Sequence, residues 1–442
     1  MQISPTQLTQ DTVYLTQTIG VRLTGTAGEN AACRYLQKRF LEYTPKCTLE
    51  SFPVMAQHLE QLSLEVLTDG RWASAPASLL NGSPCGDGQP LEAELVVFQS
   101  HTDYRLPDLS HLRGKGVIHF GAAVPDEDAY RRLMEAEPAF ILMADTRYPS
   151  AMPVANGLYP AYIRKYGAVP TLNVAYQDAW AWCTTPALRA RIQIRGKNCE
   201  SASHNVVAEL TGTAPDADCI YLCAHADTQA DTVGADDNAI GCAILLELAR
   251  VLAARPHRNT IRLIAFGAEE ILSLGSAEYV RTHREELTKH GAFVCNFDSC
   301  GSAAGWNQLI TSLDDALSQH VRDCFEGSGC YYTEVSRPDP FNDLFPFTAL
   351  GIAGITVMRR NCESGVFYHH RPDNTMEILS ADRAAELAQA ALSLIEALAD
   401  TEHLKSFCRC NPRYTHEVQQ LWTETFGGWN AEPEKEVRAN GE

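Results

Sequence analysis

Acidic and imidazole side chains are concentrated in the segment HADTQADTVGADDNAIG, residues 225–241, directly after an apolar stretch. Crowded carboxylates repel one another, and each loses hydration when it leaves water. A cation bound among them would offset both costs, whereas a solvated loop would avoid them. His225 and Asp227 open the segment, and Asp236 and Asp237 stand near its end. These residue types and their spacing make the segment a candidate cation site.

From about residue 202 onwards, short apolar strands alternate with helices. The predicted strands are residues 219–224, 260–266, 291–297 and one within 349–358, and the predicted helices are residues 239–254, 274–283 and 380–400. This alternation predicts an α/β fold, a mostly parallel doubly wound sheet that helices cover on both faces. The carboxyl ends of parallel strands open onto one crevice, where ligands bind.

Chemically active side chains follow several of these strands. They are His225 and Asp227, Glu269 and Glu270, Asp298, and the segment YHHRPDN at residues 368–374. Alone, each could be a helix cap or a surface charge, but their common position at strand ends favours one site. The nitrogen and oxygen ligands suit zinc or another borderline divalent ion. They exceed the needs of one tetrahedral ion, so two ions about 3.5–4 Å apart and sharing a carboxylate are expected.

The motifs resemble those of the M28 family of co-catalytic zinc aminopeptidases. The matching parts are HxD (His225, Asp227), GADDN with Gly241, AEE (268–270) followed by GS (275–276), NFD (296–298) and YHxxxDN (368–374). They occur in the family's order, which makes the set specific although each part alone is weak. The resemblance implies a zinc exopeptidase fold, described as phosphorylase/hydrolase-like, over residues 1–52 and 197–400.

The resemblance also implies a set of metal ligands. Asp237 would bridge two divalent ions, most simply Zn²⁺. His225 and Asp298 would complete the ligands of one ion, and Glu270 and His369 those of the other. His369 is preferred over its neighbour because it has the four-residue spacing to Asp373 that the family motif requires.

Further residues receive roles outside the ligand set. By the same resemblance, Glu269, which stands beside a ligand but is not one itself, would be the general base. Asp227 would support catalysis by orienting the His225 imidazole. His370 would be a neighbour or substrate contact, and Asp343 would line the substrate pocket, support the site from behind, or simply cap a turn. The implied reaction is hydrolysis of N-terminal residues from peptides by a hydroxide that bridges two zinc ions.

The chain departs from the family pattern at some positions. Ile240 stands where the family usually has Ser, and Leu272 where it usually has Gly. Leu344 replaces the histidine of the family's SDHxPF segment. These changes affect the expected pocket shape. The family often has a cis peptide after the bridging aspartate, which here would be the Asp237–Asn238 bond.

Segments outside the motif region have other expected structures. Residues 5–45 are predicted to be helical. Residues 53–196 contain short β-like runs with turn signals and resemble a protease-associated domain at DLSHLRGKGVIHFGA; they are expected to form a smaller inserted α/β or β-rich domain with no chemistry of its own. The insertion is expected to shape substrate access, to contact another copy of the chain in a homo-oligomer, or to act as a spacer. Residues 401–442 form a tail whose polar end, EPEKEVRANGE, is expected to fray.

Composition restricts the partners. A net charge of −19 opposes binding to nucleic acids and anionic lipids, and no apolar run reaches the length of a membrane span. Fifteen cysteines in mostly apolar surroundings, without a recognisable secretory signal, favour reduced thiols and a cytoplasmic location. Composition therefore predicts no nucleic-acid and no membrane partner, and the family resemblance implies peptide substrates.

Two other functions fit the same motifs. A glutaminyl-cyclase-like acyltransferase would use the same carboxylates with a single zinc. A non-catalytic binding module would use the metal for stability alone, but a structural site does not require an additional base such as Glu269.

Overall fold

A computed structural model of the chain describes residues 2–185 and 188–431. The fraying predicted for EPEKEVRANGE, residues 432–442, lies outside the described residues. The strands are β1 (Cys47–Thr68), β2 (Arg71–Ala75), β3 (Ala77–Leu79), β4 (Asp87–Gln99), β5 (Gly116–Phe120), β6 (Phe140–Ala144), β7 (Thr171–Val174), β8 (Arg189–Leu210), β9 (Cys219–His225), β10 (Thr260–Phe266), β11 (Gly291–Phe297), β12 (Trp306–Thr311), β13 (Thr333–Ser336) and β14 (Ala353–Arg360). The α-helices are α1 (Pro5–Val13), α2 (Ala27–Phe40), α3 (Ser100–Asp103), α4 (Glu127–Glu135), α5 (Pro160–Tyr166), α6 (Tyr176–Trp182), α7 (Ile240–Leu252), α8 (Leu274–Thr282), α9 (Arg284–His290), α10 (Asp315–Gly327), α11 (Leu344–Ala349), α12 (Ala381–Ala399), α13 (Leu404–Phe407) and α14 (Thr415–Phe426).

The centre of the sheet has the parallel arrangement that the sequence predicts. Strands follow the order β13-β12-β14-β11-β9-β10-β8, and the four strands β14, β11, β9 and β10 run parallel. Antiparallel pairs flank them, β12 with β14 and β8 with β10. The predicted α/β class is confirmed, and the sheet is mixed towards its edges.

Helices cover both faces of this sheet. On one face, α1, α2, α7 and α12 pack around a core of aliphatic side chains, and α7 is buried at every position except Arg250. On the other face, α8 and α11 pack on an aromatic cluster that includes Tyr221, Phe266 and Phe347. Covering both faces explains why all seven residues of β9 are buried, as expected for a central parallel strand.

Two long strands, β1 and β8, join the core to the inserted segment. They pair antiparallel from Cys47 opposite Ala208 to Leu67 opposite Arg189. One half of β8 pairs with β10 of the core, and the other half pairs with β4. The predicted limits of the insertion, residues 53 and 196, therefore fall inside a continuous ribbon of two strands.

The inserted segment is itself an α/β unit. Strands β4, β5, β6 and β7 run parallel, with β3 antiparallel at the edge. Separate apolar clusters lie on the two sides of this sheet, one packed by α4 and α5 and the other by α6. The extended β1–β8 ribbon and these two clusters make the insertion a second layered unit beside the core.

The predicted helix over residues 5–45 is wrong as a single element. Helix α1 continues as a wider turn over Tyr14–Ile19, and residues 20–26 then leave the helical conformation before α2 begins. Gly20 and Gly25 have φ values of 86° and 73°, which non-glycine residues rarely adopt. The break allows Arg22 to enter the core beside the strand ends.

The C-terminal region contains a packed helix rather than a simple tail. Helix α14 buries Val418, Trp422 and Phe426 against α11 and α8. Among the described residues, no helix is long and apolar enough to cross a membrane.

Candidate metal centre

Three parallel strands end at the same edge of the sheet and bring three predicted stretches together. Strand β9 ends at His225, β10 leads to Glu269, and β11 leads to Asp298. The Nε2 atom of His225 lies 3.9 Å from Glu269 Oε2 and 3.8 Å from Asp298 Oδ1. The convergence predicted from strand topology is thus present in the structure.

Asp237 lies at the centre of this group. Its Oδ1 atom is 3.0 Å from His225 Nε2, and its Oδ2 atom is 3.1 Å from His369 Nδ1 and 3.5 Å from His370 Nε2. The carboxylate is 5% exposed. Its two oxygens therefore face different imidazole groups on opposite sides.

Hydrogen bonds around Asp237 fix the turn at residues 234–239. The Asp237–Asn238 peptide bond is cis, as the resemblance implied. Asn238 Nδ2 donates to the carbonyl oxygen of Phe297 at 2.7 Å. The buried Asp236 carboxylate accepts from the backbone N–H of Gly301 at 2.6 Å and from the Ser302 hydroxyl at 2.8 Å. The turn is thereby attached to the loop that follows β11.

Asp227 holds the turn that carries both glutamates. Its Oδ1 accepts the backbone N–H of Glu269 at 3.0 Å, and its Oδ2 accepts that of Glu270 at 3.2 Å. The Thr24 hydroxyl donates to the same carboxylate at 2.9 Å. Oδ1 also lies 3.6 Å from Nδ1 of His225. Asp227 thus supports the predicted base and two predicted ligands at once.

The two neighbouring histidines lie at different distances from the predicted ligands. His370 Nε2 lies 2.8 Å from Glu270 Oε2 and 3.5 Å from Asp237 Oδ2, so it stands between two predicted ligands. His369 approaches Asp237, and its ring stacks on that of His370 with centroids 3.5 Å apart. The backbone of His370 has a φ of 54°, in the left-handed region. The geometry favours His370 over His369 as the partner of Glu270.

Asp343 occupies a different kind of position. It is fully buried, and burial raises its pKa to about 7, although His225 and Ser276 act in the opposite direction. Such burial favours a supporting role behind the site over direct contact with substrate.

Burial and mutual charge dominate the electrostatics of the group. Burial raises the pKa of Glu269 well above its usual range, and the neighbouring carboxylates of Asp343 and Glu270 add to this effect. Burial acts in the same direction on Asp237, but hydrogen bonds with His225 and His369 outweigh it and hold its pKa well below the usual range. These groups form one interacting set.

The donor set fits a divalent metal ion of the zinc type. Donor atoms of His225, Asp237 and Glu270 all lie within 4.8 Å of one another, and so do those of Asp237, His369 and His370. Imidazole nitrogens and carboxylate oxygens are the ligands that zinc uses in catalytic sites. Asp237 belongs to both groups.

Two buried charged residues near the N-terminus were not recognised as part of the site. Arg22 donates to the carbonyl oxygens of Ala226, Val233 and Gly234, so it braces the segment after β9. Glu29 accepts from the backbone N–H groups of Gly25 and Ala268 and from the Ser203 hydroxyl at 2.5 Å. They lie in the segments IGVRLTG (19–25) and AGEN (27–30), within the residues 5–45 that were predicted only to be helical.

Known proteins resemble this chain in sequence. The sequence profile of peptidase family M28 matches residues 205–395. The aminopeptidase YwaD of Bacillus subtilis is 25% identical over 394 residues, which cover 86% of this chain and 82% of that protein. An aminopeptidase of Pseudomonas aeruginosa is 32% identical over 136 residues, 31% of this chain and 25% of that protein.

Solved structures have the same fold. The zinc aminopeptidase BSAP of Bacillus subtilis superposes with a TM-score of 0.71 at 20% identity, over 90% of this chain and 96% of that one. A peptidase M28 precursor of Shewanella amazonensis SB2B gives a TM-score of 0.75 at 20% identity, over 91% and 94% of the two chains. The profile match spans the strand ends and turns that carry the donor set, so this part of the chain is similar to peptidase family M28.

Proposed function

We propose that this protein is a zinc-dependent aminopeptidase, which removes N-terminal residues from peptides at a site with two metal ions. The observation that carries the proposal is the position of Asp237, whose two carboxylate oxygens face His225 on one side and the histidine pair on the other. A carboxylate in this position can bridge two cations, which also removes the repulsion among the buried acids.

Each ion would have its own ligands besides Asp237. His225 and Asp298 would hold one ion, since Asp298 Oδ1 lies 3.8 Å from the His225 Nε2 atom. Glu270 and His370 would hold the other, at a separation of 2.8 Å between their donor atoms. The hypothesis from motif spacing gave the last position to His369, and the distances favour its neighbour.

Glu269 would move the proton in the reaction. When bound, a pair of divalent ions lowers the pKa of water and polarises the scissile carbonyl. The Glu269 carboxylate lies 3.9 Å from His225 and is 12% exposed, so it is close to the ligands and still open to the crevice. It would accept a proton from the attacking water and deliver it to the leaving amine. The Ser273 hydroxyl donates to Glu269 Oε1 at 3.1 Å and helps to orient it.

The acidic edge of the site suits removal of the N-terminal residue. Glu269 and Asp298 lie on the His225 side of Asp237, and Asp339 is within electrostatic range of Asp298. A negative edge attracts the ammonium group of a peptide N-terminus. Two related proteins are named aminopeptidases, which supports cleavage at the N-terminal end of the peptide.

The direct test compares one peptide with a free and with an acetylated N-terminus. The zinc-loaded protein should release the first residue from the free peptide and leave the acetylated peptide intact, as seen by mass spectrometry. Equal cleavage of both, or internal cleavage, would overturn the assignment. A product that has lost ammonia from N-terminal glutamine, without any hydrolysis, would instead favour the cyclase alternative.

A further inference from the structure

The inserted unit reaches the candidate metal centre through residues 145–157, between β6 and α5. The backbone N–H of Ala155 donates to the carbonyl oxygen of His370 at 2.9 Å. The Tyr148 ring packs against the His369 ring with centroids 5.8 Å apart. The insertion therefore forms a wall of the site beside the histidine pair, and exposed groups on this wall can contact substrate.

One such group is the guanidinium of Arg147. Its Nη2 atom lies 2.7 Å from Asp145 Oδ2, its Nε atom lies 3.2 Å from both Asp145 oxygens, and Asn156 Oδ1 accepts from Nη2 at 3.2 Å. The Asp145 side chain is 2% exposed, whereas that of Arg147 is 40% exposed. The buried side chains of Asp145 and Asn156 thus hold the exposed Arg147 guanidinium in place.

Part of this guanidinium is available to a ligand. Arginine has five N–H groups, and the bonds to Asp145 and Asn156 use only those on Nε and Nη2. Within the described part of the chain, Nη1 of Arg147 makes no hydrogen bond. Its two N–H groups can therefore donate to a carboxylate that enters the crevice.

Arg147 is close enough to meet a substrate held at the metals. Its guanidinium carbon lies 5.4 Å from the centre of the Tyr148 ring, which itself packs on His369. These two contacts limit the separation between Arg147 and the His369 ring to about 11 Å, which about three residues of extended chain span.

We propose that Arg147 binds a carboxylate of the peptide on the leaving-group side of the scissile bond. The inference rests on the proposed function and names its substrate class: di- and tripeptides with a free carboxyl terminus. A guanidinium forms charge-assisted hydrogen bonds with a carboxylate and repels an ammonium group. It therefore directs the peptide N-terminus away from Arg147 and towards Glu269 and Asp298.

Two sources could supply the carboxylate, the peptide C-terminus or an acidic side chain in the second residue. The test measures kcat/KM of the zinc-loaded wild type on X-Gly and X-Gly amide, and on X-Asp amide and X-Asn amide. Here X is the N-terminal residue that the enzyme removes fastest from 4-nitroanilides. Arg147→Gln and Arg147→Lys are compared with Arg131→Gln, a control on α4 of the same unit, where Arg131 pairs with Asp128 and Glu135.

We expect the wild type to prefer X-Gly over its amide by roughly tenfold or more, the gain from one hydrogen bond between charged groups. Arg147→Gln should remove this preference through KM, and Arg147→Lys should retain part of it, whereas Arg131→Gln should keep the wild-type preference and the wild-type rate on the 4-nitroanilide. Preference for X-Asp amide over X-Asn amide assigns the contact to a side chain and overturns the substrate class.

The wild-type comparison alone decides the proposal if a variant does not fold. Equal rates on X-Gly and its amide would overturn it, and so would an equal loss on all substrates in Arg147→Gln. The latter result would assign Arg147 to holding Asp145 in the wall. Activity of the wild type on the 4-nitroanilide, which has no carboxylate, tests the proposed aminopeptidase function separately.

Discussion

His370 Nε2 lies 2.8 Å from Glu270 Oε2, which places the second histidine of the HH pair, and not the first, between two acidic side chains of the candidate metal centre. The ring of His369 stacks on it, and its Nδ1 atom lies 3.1 Å from Asp237 Oδ2. His369 and His370 thus approach different carboxylates of the candidate metal centre. This difference predicts which of the two imidazoles a metal ion needs.

Replacing His370 should remove one metal ion, and replacing His369 should not. His370→Ala deletes a donor atom between Glu270 and Asp237, whereas His369→Ala leaves that donor pair intact. We expect zinc content to fall from two equivalents to about one in His370→Ala, with activity reduced roughly 100-fold or more because a metal-ligand set is broken.

Atomic emission measurements on dialysed protein give the zinc content. The matched variant His369→Ala controls for loss of a neighbouring imidazole. Loss of zinc from His369→Ala with full retention in His370→Ala would reverse the assignment and support the spacing argument from the sequence.

Glu269→Gln separates catalysis from metal binding. Glutamine keeps the shape and the hydrogen bond from Ser273 but cannot accept a proton from water. We expect kcat to fall roughly 100-fold or more, with zinc content and thermal stability close to those of the wild type. Glu278→Gln, on the nearby helix α8, is the control. Retention of turnover in Glu269→Gln would exclude this glutamate as the base.

Asp227→Asn should weaken the metal centre without touching a ligand directly. The amide N–H₂ group would face one of the two backbone N–H groups, of Glu269 or Glu270, that now donate to the carboxylate. We expect zinc affinity to fall roughly 10- to 100-fold, as for other residues that orient ligands.

Competition with a chelator of known affinity measures this change. The control is Asp231→Asn, because Asp231 is exposed and has a φ of 61°, a conformation that asparagine also tolerates. Unchanged zinc affinity in Asp227→Asn would show that the turn at residues 268–270 holds its position without the Asp227 carboxylate.

The inserted unit should lose stability in mild acid through His119. This imidazole is fully buried beside Phe98 and Tyr104, and burial lowers its pKa to about 4. In the unfolded chain the pKa is about 6.5, so the unfolded state binds more protons between pH 4 and 6.5. The contribution of His119 is therefore complete above pH 6.5 and decreases as the pH falls towards 4, by up to about 3 kcal/mol.

Urea unfolding of the wild type and His119→Gln at several pH values tests this effect. The free energy of unfolding should depend less on pH in His119→Gln over this range, and exposed His111 provides the control variant His111→Gln. Parallel pH curves for wild type and His119→Gln would contradict the assignment.

Sequence reasoning succeeded where strand ends carry the chemistry. His225, Glu269 and Asp298 follow central strands, so their convergence follows from parallel topology alone. The approach of His370 to Glu270 did not follow from the sequence, because motif spacing carries no information about distances between side chains.

Contacts between distant segments could also not be predicted from the sequence. Nothing in residues 145–157 indicates that Ala155 meets His370 or that Tyr148 packs on His369, since these contacts depend on how the β1–β8 ribbon orients the inserted unit. The unit expected to have no chemistry of its own therefore lies against the candidate site.

The most direct test of the account is a zinc titration of demetallated protein, with bound zinc and peptide hydrolysis measured on the same samples. If Asp237 bridges two ions, the chain binds two equivalents and reaches full activity only when both are present, and Asp237→Asn loses tight binding of both. Full activity at a single equivalent of zinc, or undiminished binding in Asp237→Asn, would contradict the account.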